Sequence, residues 1–535
     1  MYLNCHTRFS FHYGVLSVEE LLEEAQRCGI HKLVLTDINN TSAVLDFIRL
    51  APKYNVEPVV GIEFRRGDKL QFIGIARNND GFEELNRFLS DCLAQGAEYG
   101  ESSGSRDAIV PNRAPAFQNA WVIYPMEKEQ TNSDKLAQPS LSMHKANLGV
   151  VNSGNHRNEL NRKDDFESPT KKKNVSAQRI INLRDNEFIG IREEELLRLP
   201  FSKYKNLLHR CVLLCPVTFR NKLDFNIHRL LSAIGHNTLL SKLETTSIAN
   251  ADEIMYPEED LLERYYYFQQ LIINTKMLLD ESSIAFTFHE SKNKKTFTGT
   301  SKDDIELLRS ETEKGLLYRY GKKINKTIRL RAEKEITMIQ DYGFSSYFLI
   351  NWDIINYAQH KNYFYVGRGS GANSIVAYAL RITDVDPIEL DLYFERFINS
   401  YRKNPPDFDI DFSWKDRDDI THHIFNSFGK GRVALLATYS TYQRKAVVRE
   451  LGKVFGLPKE EIDGLFNVHK KFESNDQISG LIQRYGTRLQ DFPHHLSIHA
   501  GGILISEKTI TCYTALNHPP KGFPVTQFSM LEAED

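Results

Sequence analysis

Short β-rich runs alternate with helical signals through the first 95 residues, and this alternation restricts the fold more than any other feature of the chain. HKLVLTD (31–37), VEPVVGIEF (56–64) and LQFIGIA (70–76) read as strands. Ahead of them, SVEELLEEAQRCG carries a Ser17–Glu20 capping box and Gly29 as a stop signal, which predicts a helix. Repeated strand–helix units predict an α/β fold with a parallel sheet or barrel. Chemistry in such folds gathers at the C-terminal ends of the strands, where Asp37 and Glu63 fall.

The remaining 440 or so residues are too many for that one core, so two or three domains are expected. The 41% hydrophobic and 26% charged composition is that of a soluble globular protein. A net charge of −2 gives no global basic field, although a local basic groove fits within a neutral total. The six cysteines are sparse and irregular, as in a reducing compartment; Cys211 and Cys215 read as packing, since no second pair has zinc spacing. No apolar run reaches the roughly 18 residues of a membrane span. MYLNCHTRFS lacks a signal-peptide core, so a cytoplasmic protein without membrane contact is expected.

Further along, residues 96–181 turn polar and non-periodic, which predicts a largely disordered insertion over about 127–181 and an ordered strand in AFQNAWVIYP (116–125). Strands return at NEFIGI (186–191) and CVLLCPVTF (211–219), and helices follow. SKNKKTFTGTSKDD (291–304) reads as a domain boundary. Beyond it come helices over 303–360, a strand at YFYV (363–366), a buried helix in SIVAYALRI, helices over 415–490 and a strand at HAGGILIS (499–506).

PPDFDIDF (405–412) places three carboxylates at every second position. In a strand, Asp407, Asp409 and Asp411 share one face, while Phe408, Ile410 and Phe412 share the other and can anchor it on a core. Like charges spaced that closely repel, and a divalent cation between them relieves the repulsion. A solvated strand face or a calcium loop reads equally well from this motif alone. Upstream, VGRGSGANS offers Gly367, Gly369 and Gly371 for close backbone approach, the Ser370 hydroxyl, the Arg368 cation and a following helix N-terminus as a phosphate site. Its spacing is neither that of a P-loop nor that of a dinucleotide fingerprint, and a simple turn is the alternative.

Together, YFLINWDII, VGRGSGANSIVAYALRITDVDPIELDLYFERFIN, PPDFDIDF, TYSTYQRKAVVRELGKVFG and SIHAGGILIS…FPVTQF resemble, in order, the palm of the bacterial DNA polymerase III alpha subunit, the C-family replicative polymerase. Residues 1–290 resemble the polymerase-and-histidinol-phosphatase (PHP) domain that precedes it. The resemblance implies a PHP-type distorted β/α barrel over 1–290, then a nucleotidyltransferase (polymerase beta-like) palm over 291–430 and 494–535, interrupted by a helical thumb over 431–493. It implies DNA-directed DNA polymerase activity in replication, adding dNMP to a primer 3′-OH with two Mg²⁺ ions. Asp407 and Asp409 match the metal-binding positions, and Asp411 is the weaker match. Gly369, Ser370 and Arg396 match nucleotide contacts; Arg396 as a structural ion pair is the other reading. Arg368, Lys445 and Arg449 are candidates for phosphate or DNA contact, the last two lying four apart on one helix face. The implied partners are primer–template DNA and dNTPs, with the sliding clamp and other replicase subunits binding through regions beyond this chain.

Two departures qualify the resemblance. The family's third palm aspartate, in a K-F-D strand after VTQF, does not occur before Asp535, so the sequence reads as the N-terminal half of such a polymerase. In the barrel, the family's metal motifs are depleted: Asn4 stands at one histidine position, Ile38 at a second and Thr218 at a third, leaving His6, Asp37, Glu63 and His228. A bound metal is not expected there, and His6 and Asp37 are expected to serve hydrogen bonding. The alternatives are a phosphoesterase or 3′–5′ exonuclease acting through the barrel, and a non-catalytic DNA- or subunit-binding protein. His494, His495 and His499 read as structural or backbone-contacting rather than as metal ligands.

Overall fold

A computed structural model describes residues 1–98, 108–127, 182–399, 407–465 and 477–534. The expected disordered insertion at about 127–181 lies almost wholly outside them. The N-terminal strands are β1 (Tyr2–Cys5), β2 (Lys32–Leu35), β3 (Glu57–Arg66), β4 (Lys69–Ala76), β5 (Ala120–Pro125), β6 (Glu187–Ile191), β7 (Cys211–Leu213) and β8 (Pro216–Val217). They form one sheet in the order β7-β6-β5-β4-β3-β2-β1-β8. All neighbours are parallel except β4, which runs antiparallel to both β3 and β5. The two edge strands are consecutive in sequence and separated only by residues 214 and 215, so the sheet must curl until its edges approach. The parallel strands are buried on both faces and read as unbroken apolar runs, as parallel sheets require.

Helix α1 (Val18–Arg27) carries the expected reciprocal cap: Ser17 Oγ accepts from Glu20 N at 3.1 Å, and Glu20 accepts from Ser17 N at 2.9 Å. Gly29 ends it at φ +67°, where glycine carries no Cβ penalty. The other barrel helices are α2 (Val44–Leu50), α3 (Asn79–Glu98), α4 (Lys222–Gly235), α5 (Glu258–Arg264) and α6 (Gln269–Asp280). Cys211 packs with its thiol on the Leu207 carbonyl and Cys215 bonds the Tyr265 hydroxyl, so the pair serves packing.

Beyond residue 300 come α7 (Ser301–Tyr320), α8 (Lys326–Asp341) and α9 (Ser345–His360), the helical stretch read from the sequence. A two-stranded ribbon follows, β9 (Tyr365–Arg368) against β10 (Asp409–Phe412), with α10 (Ile375–Ala379) buried between them in sequence. Next are α11 (Arg417–Ser427), β11 (Val433–Thr441), α12 (Arg444–Phe455), α13 (Lys459–Gly464), α14 (Gln477–Leu489), β12 (Pro493–Ile505), β13 (Leu516–Asn517) and β14 (Val525–Thr526). A second sheet has the order β12-β11-β14-β13.

β11 corrects the sequence reading, which placed helices throughout 415–490 and began the thumb at 431. VALLATYST is nine residues of strand paired along β12, from Val433 against Ile505 to Thr441 against Pro493. Branched and aromatic side chains at alternating positions favour the pleat, and a ready partner in β12 decides the matter. The helical insertion therefore begins at α12. Nor do the polymerase-like strands join into one sheet: the aspartate ribbon and the four-stranded sheet are separate ladders.

The apolar core of the barrel continues into this insertion. Val447, Leu451 and Val454 of α12 and Ile482, Tyr485 and Leu489 of α14 belong to the same buried cluster as Leu21, Phe47 and Leu230 of the barrel. A buried polar joint lies nearby. Gln527 Oε1 accepts from Thr41 N at 2.8 Å and Thr41 Oγ1 at 2.9 Å, while its Nε2 donates to Asn517 at 2.8 Å. Replacing it with leucine strands the buried Thr41 amide. Gln527→Leu is expected to lower unfolding stability by about 1–3 kcal/mol, read as a lower urea midpoint at unchanged slope.

Candidate functional site

The β9–β10 ribbon carries Arg368, Asp409 and Asp411, with Gly369 and Ser370 directly after β9 and Asp407 just before β10. Arg368 lies directly opposite Asp409, and Val366 opposite Asp411. Phe408, Ile410 and Phe412 turn inward, as the alternation predicts, against the core of α7–α10. Phe408 is held on three sides: its ring stacks on Tyr347 at 5.3 Å and meets Phe348 at 5.2 Å and Phe397 at 5.0 Å. Its amide also donates to the Tyr347 hydroxyl at 2.8 Å. This anchor fixes the outward direction of Asp407, Asp409 and Asp411, all three exposed.

Arg368 bridges two of these carboxylates, Nε to Asp411 at 2.8 Å and a terminal nitrogen to Asp409 at 3.2 Å. The guanidinium is 59% exposed and its partners 47% and 58%, so solvent and salt screen the pairs. A flexible exposed cation thus sits where the two carboxylates converge. Gly369, at φ +79°, closes the turn; a Cβ there would lie 3.0 Å from Asp409 Oδ2, so the glycine brings backbone and carboxylate together. At Gly367 a Cβ would meet the Ile382 carbonyl at 1.8 Å. Ser370 follows, half-buried, its carbonyl accepting from Asn373 at 2.8 Å. The turn holding exposed Arg396 (Phe394–Arg396) packs against the 369–373 turn. Lys445 and Arg449 stand apart from the ribbon, on the exposed face of α12, whose inner face docks on the barrel.

The helix expected to offer free amides does not offer them. α10 has five residues, and Glu335 of α8 already meets its N-terminus: Glu335 accepts from Ser374 Oγ at 2.8 Å and from Val376 N at 3.3 Å. Burial raises the Glu335 carboxyl to about 7 despite the Arg331 guanidinium beside it. A carboxyl raised in the folded state keeps its proton where the unfolded chain has lost it. Its contribution to stability therefore falls as pH rises from about 4.5 to about 7. Glu335→Gln should flatten that part of the stability–pH curve, measured by urea unfolding across the window.

A metal fits the ribbon's donor set. Oxygen-only carboxylate donors converging on one cation suit a hard divalent ion, and Mg²⁺ commonly takes one or two protein carboxylates, completing its shell with water and phosphate. Among the described residues no group of three or more His, Cys, Asp or Glu side chains is placed to hold a metal by itself.

Of the barrel's residual motif residues, His6 and Glu63 meet in a closed polar network, while Asp37 and His228 are bonded separately. Glu63, 1% exposed, accepts from Asn4 Nδ2 at 2.5 Å, bonds His6 Nε2 at 3.0 Å and pairs with Arg65. His6 Nδ1 meets Thr218 Oγ1 at 3.0 Å, and Thr218 donates to Glu253 at 2.7 Å, which Arg192 pairs at 3.1 Å. Burial pushes the Glu63 carboxyl up, but Arg65, His6 and Asn4 outweigh it and hold it well below the usual range. Asp37 accepts from Thr7 N, Thr7 Oγ1 and Ser10 Oγ at 2.6–2.7 Å; burial nonetheless raises its carboxyl. His228 uses both ring nitrogens, Nδ1 on the Tyr13 carbonyl at 2.6 Å and Nε2 on the Ala249 amide at 2.8 Å. These residues do not fit a metal cluster: the imidazoles are committed, Ile38 has no donor, and Arg65, stacked 4.2 Å over Tyr13, supplies the positive charge. Arg65, Arg192 and Glu253 escaped the sequence reading. The i, i+2 spacing of Glu63 and Arg65 in β3 was the available signal, since it puts both on one face of a buried strand.

Further along the chain, His499 Nδ1 accepts from the Gly501 and Gly502 amides at 3.3 and 3.0 Å, the backbone role read from the sequence.

Burial lowers His228 to about 4, so the unfolded chain binds the extra proton between about 6.5 and 4. Stability should therefore fall as pH drops through that window, by about 1 kcal/mol per pH unit. His228→Gln should reduce the slope in pH-dependent urea unfolding.

The comparisons with known proteins match this two-part layout. Residues 306–535 match the family model described as the bacterial DNA polymerase III alpha NTPase domain, and residues 3–115 match the PHP domain. The whole chain is 27% identical to an error-prone DNA polymerase of Symbiobacterium thermophilum, covering 50% of it. It is similar over its full length to the DNA polymerase III subunit alpha of Bacillus subtilis (26% identity) and of Escherichia coli K12 (25%), covering 47% of each. The chain thus spans about half the length of these relatives.

Proposed function

For a chain that carries a PHP domain followed by a bacterial DNA polymerase III alpha NTPase domain, we propose a part in template-directed DNA synthesis, the transfer of dNMP from a dNTP to a primer 3′-OH. The observation that supports it most is the ribbon itself: two carboxylates sharing one cation, beside a glycine turn that admits a ligand close to Asp409. Asp407 and Asp409 would hold Mg²⁺. When bound, such ions lower the pKa of the attacking hydroxyl and neutralise charge on the leaving pyrophosphate. The chain's own residues do the positioning. The Phe408 anchor fixes the carboxylates, and the open turn at Gly369 and Ser370 takes the triphosphate. Arg368 would exchange Asp409 and Asp411 for phosphate oxygens, a move its exposure permits, and so leave Asp409 free beside Asp407. Arg396, in the turn packed against residues 369–373, would add a further phosphate contact. Lys445 and Arg449 serve the backbone of the primer–template duplex, if the duplex reaches α12. Primer–template DNA, dNTPs and other replicase subunits are the proposed partners, in the cytoplasm.

The barrel reads as a structural module. A phosphoesterase there would need ligands that the Glu63–Arg65–His6 network has already engaged.

The test is primer extension with Mg²⁺ by a protein extended to the length of the relatives. Asp409→Asn is expected to reduce extension on the order of a thousandfold, the loss of about 4 kcal/mol of transition-state stabilisation. Arg368→Ala should raise the KM for dNTP more than it lowers kcat, since its charge acts on bound phosphate. Wild-type extension by the Asp409→Asn protein would sink the assignment.

A further inference from the structure

One cavity on the described surface lies away from the aspartates. It has a volume of about 380 Å³, at the loop that joins α11 to β11. Phe412 and Tyr365, at the end of the ribbon opposite Asp409 and Arg368, pack into the same small core as Phe428 in the cavity wall. Three cations line the cavity: Lys294 from the connection between barrel and palm, and Lys430 and Arg432 from the loop. Among the described residues none of the three makes a side-chain ion pair. The nearby negative charge does not call for so many. The carboxylate of Asp353 is already bonded by His423 Nε2 at 2.9 Å, under a stacked Tyr357 ring 3.9 Å away. The C-terminus of α11 presents about half a unit of negative charge, enough for one cation and not three. The floor is aromatic, with Phe297 and Phe428 at 6.3 Å between ring centres. Gly429 and Gly431, at φ +98° and +82°, keep the loop's backbone bare of side chains at its turns.

We propose that this cavity binds the phosphates of a nucleotide, with the three cations on the phosphate oxygens and the Phe297–Phe428 floor under the sugar or base. Convergent unpaired cations over an aromatic floor are what a phosphorylated, partly apolar ligand requires. The site is separate from the polymerase ribbon and does not depend on that reading. The same chemistry is offered by a free nucleoside polyphosphate and by one unit of a single-stranded nucleic acid.

Isothermal titration of the 535-residue chain at low ionic strength tests it, with inorganic tripolyphosphate and hexathymidylate as probes. Saturable binding of at least one probe is expected. Lys430→Ala/Arg432→Ala should weaken it tenfold or more, whereas Lys53→Ala, at an exposed lysine of the barrel, should leave it unchanged. Lys294→Ala alters the cavity from a different segment and should weaken it too, which covers a double variant that fails to melt like the wild type. For hexathymidylate the slope of log K against log salt should fall by about 1.4 on losing two cations. Tighter tripolyphosphate binding assigns a free polyphosphate, and tighter hexathymidylate binding assigns a strand. The proposal is overturned if neither probe saturates, if the cavity variants bind like the wild type, or if Lys53→Ala weakens binding as much as they do.

Discussion

Glu63 sits almost wholly out of water in the middle of the curled sheet, and a carboxylate there is tolerable only with a counter-charge in contact. Its own strand supplies one two residues on, in Arg65, and the remaining geometry follows from that pair. Asn4 on β1 and His6 directly after it must reach Glu63, which fixes the register of β1 beside its neighbours. Thr218 must reach His6, which draws the end of β8 to the same point, and Glu253 with Arg192 closes the ring. Seven side chains from well-separated parts of the sequence are thereby held together. A closed network of this kind contributes less through any one ion pair than through the penalty for removing a member, since each loss leaves a buried polar group unsatisfied.

The ribbon makes the opposite use of the same chemical parts. There too an arginine lies between carboxylates, but both sides are about half exposed and the glycines around them leave room. Burial turns an arginine–carboxylate group into scaffold, and exposure leaves it exchangeable. What gives the ribbon definition is the apolar underside, where Phe408 is gripped by Tyr347, Phe348 and Phe397. Rigidity and exposure therefore lie on opposite faces of a single strand.

Much of this was legible in the sequence, where one local rule settled the outcome. Ser17 and Glu20 cap α1 because capping needs only four consecutive residues, and the alternation in DFDIDF sets its inward and outward faces because the pleat has period 2. The misses required distant partners. β11 looked helical in company until β12, more than fifty residues later, supplied its ladder. The N-terminus of α10 looked free because Glu335, some forty residues earlier, does not announce itself in any motif. Likewise, Arg65 lies just past VEPVVGIEF, and its burial depends on strands distant in sequence.

The shared core between barrel and helical insertion carries a further consequence, for descent. Side chains of α12 and α14 complete an interior begun by α1, α2 and α4, so neither part presents a finished surface to the other. A lineage could not trade this barrel for an unrelated one, nor shed it, without rewriting helices some four hundred residues downstream at the same time. Loss of any chemistry inside the barrel leaves that obligation untouched. A barrel can outlast its original work in this way, kept by the shape it gives to its neighbour.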